Sequence, residues 1–408
     1  MRNRFIMFSK KQRFVRPSPV QGSPGSRRHD IAIFALKVGG IIAGIAALVL
    51  VAIFIVVPII EGRSILPQPE QLTEAEYNDP KDSVKNETIG DISSYQKEAV
   101  IQYNSENDAY IHGREIVFSS AAVKNGIAVY NKLVIFNVDT QDSQEIPVEL
   151  KYENITQTKI SANYIVYIDS NADGGGRIMM YDRKTKETSK IKDFIYAMPQ
   201  ISMYDDKIAF FQQAGTSLDK LYVFDLATKE GVTFKIWNGL PAPTSTCQLG
   251  KEGLTYAVPV TENGVIGSVI YVQPTDGTAI RMLKPGRVAY YPKATGDYIA
   301  FLSSSTGAPT DLYLSKNLEM PNVIAKNVTN FDVGDGFIAY TMQGNLYVYM
   351  LETSETKQLN SLVSHALLSN IDGTTVCWYD VTGGFGKLDI IKYAEISGAL
   401  TAAKENGQ

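Results

Sequence analysis

The chain has 408 residues, is 44% hydrophobic and 20% charged, and carries 39 basic against 43 acidic side chains. That balance excludes a disordered or low-complexity chain and leaves room for one large domain or two ordinary ones. The total hides two regions: residues 1–37 hold nine Lys or Arg and the single acid Asp30, so 30 basic and 42 acidic residues remain from 38 onward, an excess of negative charge that argues against nucleic acid or anionic lipid as its partner.

Residues 1–37 read as a basic cytoplasmic tail. Phe5, Ile6, Phe8 and Phe14 alternate with Lys and Arg, a pattern that either lies on an anionic inner leaflet or serves only as a topology signal. A Pro/Ser/Gly linker follows. Residues 38–60 form an apolar run of 23 residues without a charge, enough at 1.5 Å per helical residue to span a hydrocarbon core of roughly 30 Å. It exceeds the apolar region of a cleavable signal peptide, and no small-residue cleavage pattern follows it. The basic flank keeps the N terminus in the cytoplasm and sends the remainder across the cell membrane. Within this helix Gly40 and Gly44 make a G-x-x-x-G pair, which either lets two copies pack closely as a homodimer or reflects the general abundance of glycine in such helices. Residues 61–95 are polar, acidic and aperiodic, and read as an extracytoplasmic stalk.

From 96 to 396 no stretch keeps a helical period, whereas short β-branched and aromatic runs recur in fixed order. An apolar triplet closing on an aromatic (IVF at Ile116, IVY at Ile165, IAF at Ile208, LTY at Leu254, IAF at Ile299, IAY at Ile338, VCW at Val376) precedes a second apolar strand anchored at Leu133, Ile178, Leu221, Val269, Leu312, Leu346 and Leu388. The anchors are spaced 45, 43, 48, 43, 34 and 42 residues apart, the period of a four-stranded β-propeller blade. The sequence therefore predicts an all-β, seven-bladed β-propeller behind one transmembrane helix. Six or eight blades are the alternatives, because the fourth and seventh units are the least regular. The seventh unit lacks a fourth strand, and the orphan run QKEAVIQYN at 96–104 is expected to supply it. Residues 397–408 read as a C-terminal tail. Cys247 and Cys377 fall in the fourth and seventh units, too far apart in such a ring to form a disulfide.

The triplet preceded by Asp or Gly, with the later LYVFDLATKE of the third unit, resembles the propellers of TolB-like and WD40-like proteins and the membrane-anchored extracytoplasmic propellers of Gram-positive bacteria. The resemblance covers 96–396 and implies fold more than function. The chain departs from TolB itself in its anchor, in lacking that family's N-terminal α/β domain, and in counting seven units against six. The Tol-Pal role therefore does not carry over, and no binding residue of that family maps here.

Related propellers also gate prolyl-oligopeptidase-type hydrolases, but the G-x-S-x-G elbow of their catalytic half is missing here. Beyond the membrane segment there are two histidines, His112 and His365, each alone in its unit, which supplies neither a multi-histidine zinc site nor a Ser-His-Asp arrangement. Asp169, Asn171 and Asp173 with the following glycines begin a calcium loop, yet Met180 stands where the bidentate Glu belongs, and the same residues suit an ordinary hairpin turn. No cofactor is called for. Some aromatics, among them the pairs Tyr290-Tyr291 and Trp378-Tyr379, either line a face of the disk or pack the blades. The expectation is a membrane-tethered, non-enzymatic module that binds an envelope protein or cell-wall glycan. The alternative is a carbohydrate-active or other hydrolytic propeller with its site at the central channel, to be recognised by carboxylates clustered at one mouth.

Overall fold

The computed structural model describes residues 89–406 apart from 100–108, 125–126, 172–173, 196, 215–216, 238–242, 263, 276–277, 305–309, 362–363 and 383–389. The basic tail, the 38–60 segment with Gly40 and Gly44, and the stalk as far as residue 88 lie outside the described residues. Among the described residues no helix is long and apolar enough to cross a membrane.

Seven antiparallel sheets follow one another in chain order: blade 1 at 110–146, blade 2 at 155–194, blade 3 at 202–236, blade 4 at 248–283, blade 5 at 290–325, blade 6 at 328–358 and blade 7 at 366–395. Each described triplet lies on the second strand of its blade, and the anchors from Leu133 to Leu346 lie on third strands. The reason is visible in the packing. Successive side chains on a strand point to opposite faces, and each blade stands between two others, so both faces must be apolar. In blade 5, Ile299 and Phe301 face blade 4, while Ala300 and Leu302 face blade 6. Blade 7 repeats the scheme, with Val376 and Trp378 packed toward blade 6 and Cys377 and Tyr379 toward blade 1. Seven apolar clusters result, one in every gap between neighbouring blades, including the gap between blade 7 and blade 1. The ring is closed. Burying one large side chain in such a gap contributes about 2–3 kcal/mol.

Closure uses the N-terminal strand. Gln96–Glu98 pairs antiparallel with Ile390–Glu395 as the outer strand of blade 7, and the Ala99 N–H donates to Ile391 O at 2.9 Å. Residues 90–95, read from sequence as the end of a stalk at 61–95, belong instead to the propeller, because Gly90–Asp91 adds in parallel to Thr356–Gln358 and makes blade 6 five-stranded. Residues Ser397–Asn406, read from sequence as a tail, form a helix, α1. Ala399 and Ala403 are buried on one side of it. Its start is fixed by Glu395, whose carboxylate accepts from Ser397 N at 3.1 Å, from Thr374 Oγ1 at 2.5 Å and from Thr375 Oγ1 at 3.0 Å.

Both cysteines are free and buried, in the fourth and seventh blade regions. Burial pushes both thiols up to about 12, so they are small core side chains rather than nucleophiles.

Candidate functional site at the acidic channel mouth

The first strand of every blade lines one central cavity of about 470 Å3. First strands of adjacent blades form no common ladder, so their buried backbone groups need other partners. Polar side chains provide them. Asn370 of blade 7 accepts from Ile111 N at 2.9 Å and donates to Ile111 O at 3.0 Å in blade 1. Gln157 of blade 2 donates to Pro199 O at 2.9 Å and accepts from Ile201 N at 3.0 Å. Ser202 of blade 3 accepts from Leu249 N at 2.8 Å, Thr295 of blade 5 donates to Gly334 O at 3.1 Å, and Asn330 of blade 6 donates to Leu368 O at 2.9 Å. Register shifts in blades 2, 5, 6 and 7 interrupt the first strands where several of these side chains turn outward. Gln157 and Tyr291 sit there with φ of 51°.

One mouth of the channel is acidic. The turns between first and second strands carry Asp205 and Asp206 in blade 3, Glu252 beside Lys251 in blade 4, Asp297 in blade 5 and Asp335 in blade 6, and Asp372 closes the first strand of blade 7, so acids outnumber the one lysine. These acids divide into two groups. Asp206 accepts from Ser161 Oγ at 2.9 Å and Asn163 Nδ2 at 2.8 Å. Glu252 takes Arg281 at 3.4 Å and Gly296 N at 3.1 Å. Deeper in the channel Asp332 holds Lys293 Nζ at 2.8 Å and Ile371 N at 3.0 Å. Asp205, Asp297 and Asp335 are exposed, and their carboxylates form no hydrogen bond or ion pair among the described residues.

His112 meets Asp372 across the junction of blades 1 and 7, Nδ1 to Oδ1 at 3.4 Å, and Gly113 N donates to the same carboxylate at 2.7 Å. The Asp372 hydrogen bond raises His112 above its ordinary 6.5; burial partly offsets it, the Asp372 and Asp205 charges add to it, and Arg183 subtracts. Burial pushes Asp372 up, but the bonds from His112 and Gly113 outweigh it and hold the carboxyl below 3.8. Tyr204 at the same mouth is raised by burial first and then by Asp205, Asp335 and Asp372.

The remaining candidates are dispersed. Asp169 is fully buried, and its carboxylate accepts from Arg177 Nη2 at 2.5 Å, Lys151 N at 2.7 Å and Tyr152 N at 3.0 Å. It pins the loop between blades 1 and 2. Asn171 is exposed at the hairpin, and Asp173 lies outside the described residues. His365 lies far from His112 in chain order, packed against Gly344, where a Cβ would collide with its ring. Trp378 and Tyr379 are blade-packing residues, whereas Tyr291 is 45% exposed. Carboxylates at one mouth are the expected sign of a channel site, but that expectation names none of the residues that form it. The available signal is an Asp or Glu two to four residues before the apolar triplet in the third to seventh units.

No protein-family model and no curated protein matches the chain. Among solved structures it is similar to the β-propeller domain of the Trilobed protease from Pyrococcus furiosus, described as having an open velcro topology, with TM-score 0.55 and 16% identity over 72% of this chain and 96% of that one. It is also similar to prolyl endopeptidases, with TM-score 0.50 and 12% identity over 72% of this chain, which spans half of that one. TolB from Acinetobacter baumannii gives TM-score 0.39 and 13% identity over 62% of this chain and 68% of that one. At these identities the likeness is one of fold, and it is a β-propeller fold. Here the ring is closed by Gln96–Glu98.

Proposed function

We propose that the protein is a non-enzymatic binding module: a rigid disk tethered through residues 38–60 with the propeller outside the cell membrane, engaging an envelope protein or cell-wall glycan at its acidic mouth. The observation that carries this reading is the division among the acids. Asp206, Glu252, Asp332 and Asp372 are held in bonds that join blades or fix turns, while Asp205, Asp297 and Asp335 stand open around the mouth. Open carboxylates on turns of a closed ring suit recognition, because the backbone that carries them is already ordered and each short side chain has few rotamers to lose. Crosslinked preparations of the full-length protein should enrich one partner that Asp205→Lys/Asp335→Lys does not enrich. Equal recovery with the variant counts against this surface.

The same cluster of carboxylates at one mouth is the sign expected of the alternative, a carbohydrate-active or other hydrolytic propeller with its site at the central channel. His112, Asp205, Asp335 and Asp372 approach one opening, and paired carboxylates are the equipment of glycoside hydrolysis. Peptidases among the similar folds make peptide bonds a further substrate class to assay. Turnover of a glycan or peptide that disappears in Asp335→Asn would establish this reading in place of the first.

A further inference from the structure

Beside the channel mouth lies a second cavity, about 860 Å3, bounded by α1 on one side and the turns of blades 4 to 6 on the other. Its apolar lining is Tyr298, Met350, Leu351, Leu400 and Ala403, interspersed with serine and threonine side chains. Met350, Leu351 and Ala403 are buried, and the Tyr298 hydroxyl donates to Leu351 O at 3.1 Å, which fixes the ring. The wall formed by α1 is not part of the blade repeat, and Glu395 bolts its first turn to blade 7. The cleft is therefore bounded by anchored elements, not by a loose tail.

Its rim is charged. Asp297 and Asp335 are exposed and unpaired among the described residues, and Glu352 is exposed beside them. Of the two lysines on the rim, Lys316 has its Nζ 5.4 Å from the Tyr298 ring centroid, and it is raised first by Tyr298, with the nearby Asp297 charge among the lesser influences in the same direction. Lys251 is the other. Asp335 also lines the channel, so the cleft opens onto the acidic mouth and shares its field.

We infer that this cleft docks a short protein segment that inserts an apolar side chain between α1 and Tyr298 and sets basic residues against Asp335 and Asp297. The inference rests on the binding-module reading and names the chemistry of its partner. Apolar burial supplies affinity, and the flanking cations supply orientation and a salt-sensitive on-rate.

The test uses the full-length protein and a fluorescein-labelled peptide with a Leu-Phe pair flanked by lysines, against the same peptide with glutamates in place of the lysines. The lysine peptide should bind, the glutamate peptide should bind at least about tenfold more weakly, and Asp335→Lys should weaken the lysine peptide by about tenfold. Leu400→Trp, which narrows the cleft where the apolar side chain would insert, should weaken the lysine peptide by at least about tenfold, while Leu400→Ala keeps the cleft open and leaves the charge dependence intact. Val232→Lys on the outer strand of blade 3 should change nothing. Equal binding of the two peptides, or wild-type binding by Asp335→Lys and Leu400→Trp, overturns the inference. If Leu400→Trp still captures the partner that Asp205→Lys/Asp335→Lys loses, the cleft is wrong and the binding-module reading stands.

Discussion

Asn370 is the most informative single position for ring closure. Its amide bonds both backbone groups of Ile111 across the junction of blades 7 and 1, at 2.9 and 3.0 Å, and it is 3% exposed while Ile111 is fully buried. Asn370→Ala removes both partners at once and leaves a buried N–H and a buried C=O unsatisfied. At about 1–3 kcal/mol for each of the two stranded groups, the expected loss is roughly 2–6 kcal/mol, toward the lower end if water enters from the channel. Asn370→Asp should be worse: it keeps an acceptor for the Ile111 N–H but sets a buried carboxylate against the Ile111 carbonyl. Urea unfolding of both variants measures the difference. A loss below about 0.5 kcal/mol for Asn370→Ala would refute the idea that this side chain substitutes for a missing ladder bond.

Other consequences follow from the same contacts. Ala99→Pro deletes the donor that meets Ile391 O at 2.9 Å in the closing strand; thermal melting should show a loss of about 1–3 kcal/mol, with blade 7 the first region to exchange its amides. Because His112 is raised above 6.5 in the folded state, its contribution is complete below that value and is lost as pH rises through the folded value; His112→Ala should flatten melting temperature against pH across that window. Asp372 behaves in the opposite sense, its contribution failing as pH drops below 3.8 toward its lowered folded value. Arg177→Met strands the fully buried Asp169 carboxylate and should cost about 3–5 kcal/mol. Calcium at millimolar concentration should leave the wild-type melting temperature unchanged, and a rise would return Asp169 to the ligand role.

The blade repeat was legible because its cause is periodic. Every second strand is buried on both faces, so the triplets at Ile116, Ile299 and Val376 carry the same alternation of large and small side chains. The closing strand was legible from an unpaired strand at each end of the repeat. The helix α1 was not, since SGALTAAKEN is too short and weakly amphipathic to be stable alone and is held by Glu395 and the buried Ala399 and Ala403. Nor could the sequence separate Asp206, which is bonded to blade 2, from Asp205, which is open; the two are adjacent residues in one turn, and only the neighbouring blade distinguishes them. The same holds for His112, whose partner Asp372 lies at the far end of the repeat and reaches it only because the ring closes.

The claim that function resides at the acidic mouth is most directly tested by placing a photo-crosslinking residue at Asp205 or at Val232 in the full-length protein, in the cells that make it. A discrete adduct from position 205, absent from position 232 on the outer rim, is the predicted result. The same adducts from both positions, or adducts only from 232, would contradict it.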